Sequence, residues 1–129
     1  MRVRLFLFLA VLAFLAPVGK AGADSALGGD VHYRLYKTTN IYNFIQLDTV
    51  TGKMWQIQYA IDNGHRGAMV INGEDLAKGK KATVGRFALV PTENIWTFIL
   101  IDQIDGGTWQ VQWSIEDGKR FVMPIMKVK

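Results

Sequence analysis

Residues 40–64 read NIYNFIQLDTVTGKMWQIQYAIDNG, and residues 94–118 read NIWTFILIDQIDGGTWQVQWSIEDG. A gapless alignment at an offset of 54 residues pairs Asn40 with Asn94, Asp48 with Asp102, Gly52 with Gly106, Trp55 with Trp109, Gln56 with Gln110 and Gln58 with Gln112. The same offset extends upstream, matching Tyr33, Leu35 and Thr38 to Phe87, Leu89 and Thr92. Downstream it matches Arg66, Met69 and Ile71 to Arg120, Met123 and Ile125. One supersecondary unit is therefore present twice, and the fold must be built from two copies of it.

Each copy reads as four strands. VHYRLYK and RFALV are short β-rich runs; NIYNFIQLD and NIWTFILID follow; a turn leads into MWQIQYAI and TWQVQWSI; an Asx-Gly turn then leads into RGAMVI and RFVMPI. Pro124 cannot donate to a ladder, which places the last strand at an edge. GEDLAKGKK (residues 73–81) is the one segment with a competing helical reading, and a single helical turn is expected there. The expected plan is a single domain over residues 24–129, with repeat 1 at 31–71, a connector at 72–84 and repeat 2 at 85–125.

Side-chain alternation assigns the faces. Trp55, Ile57, Tyr59 and Ile61 point one way, as do Trp109, Val111, Trp113 and Ile115, while Gln56, Gln58, Gln110 and Gln112 point the other. The aromatic and aliphatic side is expected to fill the interior and the glutamine side to face solvent. The second strand differs, because Ile45 and Leu47 oppose Tyr42 and Phe44, and Ile99 and Ile101 oppose Trp96 and Phe98. Apolar residues on both sides predict a strand covered on both faces. The expected fold class is all-β: two tandem four-stranded antiparallel repeats packed as a pseudo-twofold sandwich or barrel. The alternative is a pair of propeller-like blades completed by oligomerisation, since propellers need about four to eight blades.

Asp48-Thr49-Val50-Thr51-Gly52-Lys53-Met54-Trp55 resembles the D-x-x-T-G-K hairpin with its following Trp in blades of quinoprotein-type propellers. The family's Trp falls one residue later, and the second copy keeps only Asp102, Gly106 and Trp109, so no quinone and no catalytic residue carries over. The longer pattern RF-x-L-V-P-T-x-N-I-W-T-F-I-L-I-D, followed by G-x-W-Q-V-Q-W, is similar to small exported bacterial proteins with a tandem β repeat. That resemblance implies export and fold without an activity.

The first residues support the same localisation. Arg2 and Arg4 precede an uncharged apolar run from Leu5 to Val18, and Ala21-Gly22-Ala23 is a small-x-small cleavage site, which together predict a secretory signal peptide over residues 1–23. The run is shorter than the roughly 18 residues of a membrane-spanning helix, so no stable span is expected after cleavage. No Cys follows it for a lipid anchor. The expected compartment is periplasmic or secreted.

Charge narrows the partners. The chain has 15 Lys and Arg against 11 Asp and Glu, and losing Arg2, Arg4 and Lys20 with the signal leaves a net charge of +1. Lys78, Lys80 and Lys81 form the one basic cluster and lie beside Glu74 and Asp75, so nucleic acid is not an expected partner. The chain has no Cys, and the domain must therefore hold together without disulfides.

Catalytic chemistry is thinly supplied. Ser25 and Ser114 lack a nucleophile signature. His32 and His65 stand 33 residues apart without ligand-spaced neighbours, so no metal and no cofactor is expected. Asp48 and Asp102 recur at one position and could flank a glycosidic bond, but an Asp before a Gly-containing loop ordinarily binds its own turn. The candidate binding residues are Gln56, Gln58, Gln110, Gln112, Trp96 and Tyr42, amides and rings that suit hydroxyls or peptide backbone. Trp96 is the aromatic expected at a groove or subunit contact. The expectation is a non-catalytic exported module that binds a protein or glycan of the envelope or exterior. The alternatives are a structural protein that self-associates as a homo-oligomer and, third, a hydrolase using Asp48 and Asp102.

Overall fold

A computed structural model describes residues 30–62 and 64–129; the expected signal peptide lies outside them. Eight strands run in chain order: β1 Tyr33–Lys37, β2 Asn43–Asp48, β3 Met54–Gln58, β4 Gly67–Asn72, β5 Phe87–Pro91, β6 Thr97–Asp102, β7 Thr108–Gln112 and β8 Phe121–Pro124. They form two antiparallel four-stranded meanders, ordered β1-β2-β3-β4 and β5-β6-β7-β8. The all-β sandwich of two tandem repeats is thus present. It is not a closed barrel, because each ladder ends at its own outer strand. Pro124 sits in edge strand β8, as its missing donor requires.

The repeated polar residues explain the repeated geometry. Asn40 and Asn94 each accept, through Oδ1, the backbone N–H two residues on, that of Tyr42 or Trp96, at 2.8 Å. Thr38 and Thr92 hydroxyls close the same loop by donating to the carbonyls of Asn43 and Thr97, at 2.7 and 2.8 Å. The following hairpins turn on Gly52 and Gly106, whose φ values of +83° and +81° suit glycine. Each glycine N–H donates to the carbonyl of the repeated aspartate, at 2.9 and 2.8 Å.

The expected helical turn at 73–81 is corrected to hydrogen-bonded turns. The Asp75 carboxylate accepts the Ala77 N–H at 2.8 Å, Lys80 N–H donates to the Ala77 carbonyl at 2.9 Å, and Gly79 has φ +82°. Capping at one end and a left-handed glycine within one turn leave no length for a helix. The segment instead ties back onto the first sheet, with Leu76 N–H donating to Thr51 at 2.7 Å and Asn72 Nδ2 donating to the Gly52 and Glu74 carbonyls.

The two sheets do not bury equivalent residues. From the first sheet the layer takes Ile45, Leu47, Met54 and Gln56; from the second it takes Phe87, Leu89, Phe98, Leu100, Val111 and Trp113. The cross-strand pairs Tyr36–Ile45 and Ile45–Gln56 place the first set on one side of its sheet, and Leu89–Leu100 and Phe98–Val111 do the same for the second. At the offset of 54, however, Ile45 corresponds to Ile99 and Gln56 to Gln110, and both of those lie on the far side of the second sheet. An interface about a twofold axis buries equivalent residues from both partners. Here Leu89 is 5% exposed and its counterpart Leu35 is 43% exposed. The sheets are stacked in one sense, face to back.

That stacking corrects the faces assigned from alternation. The expected interior holds in the second sheet for Trp109, Val111 and Trp113, but Ile115 is exposed. In the first sheet it is inverted: Trp55 and Ile57 are half-buried on the outer side, Tyr59 and Ile61 are exposed, and Gln56 is fully buried. Alternation defines two sides of a strand, and it is the neighbouring sheet that decides which of them is inside. The second strands, expected to be covered on both faces, are covered on one: Phe44, Ile99 and Ile101 remain half-buried on the outside. Each fully buried large apolar side chain, such as Trp113 or Leu100, contributes about 1.5–3 kcal/mol.

Polar contacts fix the stacking. Gln56 donates through Nε2 to Asn43 Oδ1 at 2.9 Å and accepts, at Oε1, Arg120 Nε at 2.9 Å. The Tyr36 hydroxyl accepts the Leu89 N–H at 3.2 Å. At the junction of the units, Phe87 N–H donates to the Thr49 carbonyl at 2.9 Å and Gly85 N–H donates to Thr49 Oγ1 at 3.0 Å.

Candidate interaction surface

The duplicated aspartates are consumed by their own turns. Asp48 Oδ1 accepts the N–H groups of Val50 and Thr51, and Asp102 Oδ1 those of Ile104 and Asp105. Each also meets a basic residue from the start of its unit. Arg86 donates twice to Asp102, at 3.1 and 2.9 Å, and the matching His32 lies 3.1 Å from Asp48. Burial pushes the Asp102 pKa up, but the Arg86 hydrogen bonds, the two turn amides and the guanidinium charge outweigh it and hold it below the ordinary carboxylate value. Asp105 is lowered chiefly by its hydrogen bond from Lys80, and Arg86 is raised chiefly by its hydrogen bond to Asp102. These groups form a structural ion-pair network at one hairpin.

Apart from Trp96, which packs against the core, the candidate binding residues separate into three places. Gln56 is fully buried and fully engaged between the sheets. Gln110 is exposed and Gln112 half-buried on the outer face of the second sheet. Tyr42 and Gln58 come together with Tyr59, Asp62, His65 and Ile115 around an open cleft of about 610 Å³. His65 Nδ1 lies 2.8 Å from Asp62 Oδ1 within this loop, and Gln58 Nε2 donates to the His65 carbonyl at 2.9 Å. Among the described residues, no group of three or more His, Cys, Asp or Glu is arranged to hold a metal ion.

The Tyr42 and Tyr59 rings stand 5.4 Å apart and tilted by 54°. Their counterparts are Trp96 and Trp113, whose rings stand 4.7 Å apart and tilted by 46°. Trp113 is 1% exposed, Trp96 packs against the core, and the Trp113 indole N–H donates to the Ile95 carbonyl at 3.0 Å. One aromatic pair is therefore part of the inter-sheet contact while its duplicate, with Tyr59 at 47% exposure, stands in the open.

The rest of that outer face follows the same rule. Tyr33, Leu35 and Val70 are exposed on the first sheet, while Phe87 and Leu89, the counterparts of Tyr33 and Leu35, are buried. On the second sheet Val90 and Met123 are exposed beside half-buried Ile99 and Ile101. Both outer faces thus carry exposed apolar side chains. Tyr33, Leu35, Tyr59 and Val90 were not among the candidate binding residues. The signal that would have found them was present in the alignment, since Leu35 matches Leu89, but its use needed knowledge of which side of each sheet is inside.

No family model, no curated protein and no solved structure matches the chain.

Proposed function

We infer that the chain is an exported, non-catalytic interaction module of the cell envelope or exterior, and that it recognises a protein through its outer sheet faces. The observation that carries this is the exposure of Tyr33, Leu35 and Tyr59 at positions whose duplicates, Phe87, Leu89 and Trp113, are buried against a sheet. Side chains of that kind have a known mode of satisfaction in this molecule, which is contact with another protein surface. A glycan platform at Tyr42 and Tyr59 is the lesser reading, because the same ring arrangement in the second unit serves protein packing. Reading Asp48 and Asp102 as hydrolytic acids receives no support, since both are occupied by turn amides and basic partners.

The test is site-specific photo-crosslinking in the native cell, with the reactive side chain placed at Leu35, at Val90 or, as a control, at exposed Lys119. Protein adducts from positions 35 and 90 and none from 119 are expected. Absence of protein adducts at both face positions, or oligosaccharide adducts from a further reactive side chain placed at Tyr59 with none of protein, overturns the reading.

A further inference from the structure

The partner's chemistry can be read from the contact inside the chain. We propose that the outer faces bind a second copy of this chain head to tail, the second sheet of one copy stacking on the first sheet of the next, until a propeller-like ring of two, three or four chains closes. The inference rests on the interaction-module reading and deepens it by naming the partner.

Within the chain the two sheets stack in one sense, face to back. An interface between two different faces leaves both of its complementary faces unused at the ends of the stack, and repetition of such an interface gives closed rings or open filaments. In this chain the unused faces are the duplicates of the used ones. Ile99 and Ile101 stand on the outer second sheet where Ile45 and Leu47 stand in the layer, and Tyr33, Leu35, Phe44 and Tyr59 stand on the outer first sheet where Phe87, Leu89, Phe98 and Trp113 stand in it. A second copy can therefore repeat, between chains, the contact already made within one.

Specific contacts carry over with it. The Tyr36 hydroxyl meets the Leu89 backbone inside the chain; Val90 and Leu35 are their counterparts, so Val90 of one copy comes to lie against Leu35 of the next. The Phe87 N–H reaches the Thr49 carbonyl inside the chain; between copies, Tyr33 N–H reaches the Gln103 carbonyl. Gln56 takes Arg120 inside the chain; exposed Gln110 takes Arg66 of the neighbour. This also accounts for second strands that are apolar on both faces yet covered on one, because sheets covered on both sides are what such sequences build. Sheets stacked with a constant twist close as propellers of about four to eight blades, and two blades per chain make that two to four chains.

The measurement is native mass spectrometry of the purified protein at micromolar concentration, with the variants Leu35→Glu and Val90→Glu. The wild type is expected as one closed oligomer of two, three or four chains. Each variant alone is expected to fall to the mass of one chain, since each loses one of the two faces. Mixed together they are expected to form a heterodimer and nothing larger, because the intact second sheet of the Leu35→Glu chain meets the intact first sheet of the Val90→Glu chain. A wild type that remains a single chain overturns the proposal, while protein adducts in the cell would leave the interaction reading standing. Dissociation by only one variant, or no heterodimer from two variants that keep their near-ultraviolet circular dichroism, also overturns it. Should either variant lose that signal, Tyr33→Arg replaces Leu35→Glu and Met123→Glu replaces Val90→Glu.

Discussion

Arg120 of the second unit donates its Nε to Gln56 Oε1 of the first across 2.9 Å, joining the sheets through a residue that alternation alone would place in solvent. Gln56 also donates to Asn43, and Ser114 N–H lies 3.4 Å from the same oxygen. A buried amide with this many partners is costly to remove, because the groups left behind lose a hydrogen bond that offsets their desolvation. Gln56→Ala is expected to lower unfolding free energy by about 2–3 kcal/mol. A double-mutant cycle with Arg120→Ala, followed by urea unfolding, should return a coupling of about 0.5–3 kcal/mol.

The inequality of the two faces predicts unequal costs at matched aromatic positions. Trp113→Ala empties a buried site and is expected to cost about 3–5 kcal/mol. Tyr59→Ala, at a concentration where the chain is monomeric, is expected to cost about 1 kcal/mol or less. Comparable losses in denaturant unfolding would show that the stacking sense is not the one described.

Gly52 and Gly106 occupy the same turn in the two units with φ values within two degrees, yet their surroundings differ. A Cβ at Gly52 would sit 3.0 Å from Leu76 Cδ1, whereas at Gly106 the nearest atom is Lys127 Nζ at 3.9 Å. Both alanine substitutions incur the left-handed penalty of roughly 1–2 kcal/mol. Gly52→Ala is expected to show a greater loss of thermal stability than Gly106→Ala. The difference reports how firmly Leu76 of the connector is held over the first hairpin.

Acid should weaken the second hairpin. Asp102 and Asp105 have pKa values lowered in the folded chain, so between those values and the unfolded carboxylate value of about 3.9 the unfolded state binds more protons. Stability therefore rises with pH in that window: their contribution is fully present above about pH 4 and is lost as pH falls through the folded values. The raised Arg86 acts with the opposite sign, at alkaline pH far from this window. Asp102→Asn is expected to be less stable at neutral pH, because Arg86 stays buried with a weakened partner, and to show a shallower loss of melting temperature between pH 4 and pH 2. A wild-type slope unchanged in Asp102→Asn would remove this ion pair from the acid response.

Duplication, strand count, hairpin positions and edge placement of Pro124 were legible in the chain, because turn residues act locally: Asn40, Asp48 and Gly52 bind their own neighbours wherever the unit is placed. The role of the glutamines was not legible in the same way. Gln56 and Gln110 share a motif and an alternation phase, yet one is sealed between sheets and the other faces outward. The sequence by itself determined two equal units, each with two apolar sides. Only the tertiary structure decided which side of each unit is inside, because that depends on the sense in which one sheet stacks on the other, and identical strands with period-two side chains carry no record of it. The same decision left Leu35 and Val90 exposed on opposite ends of one stack, where a second chain can meet them.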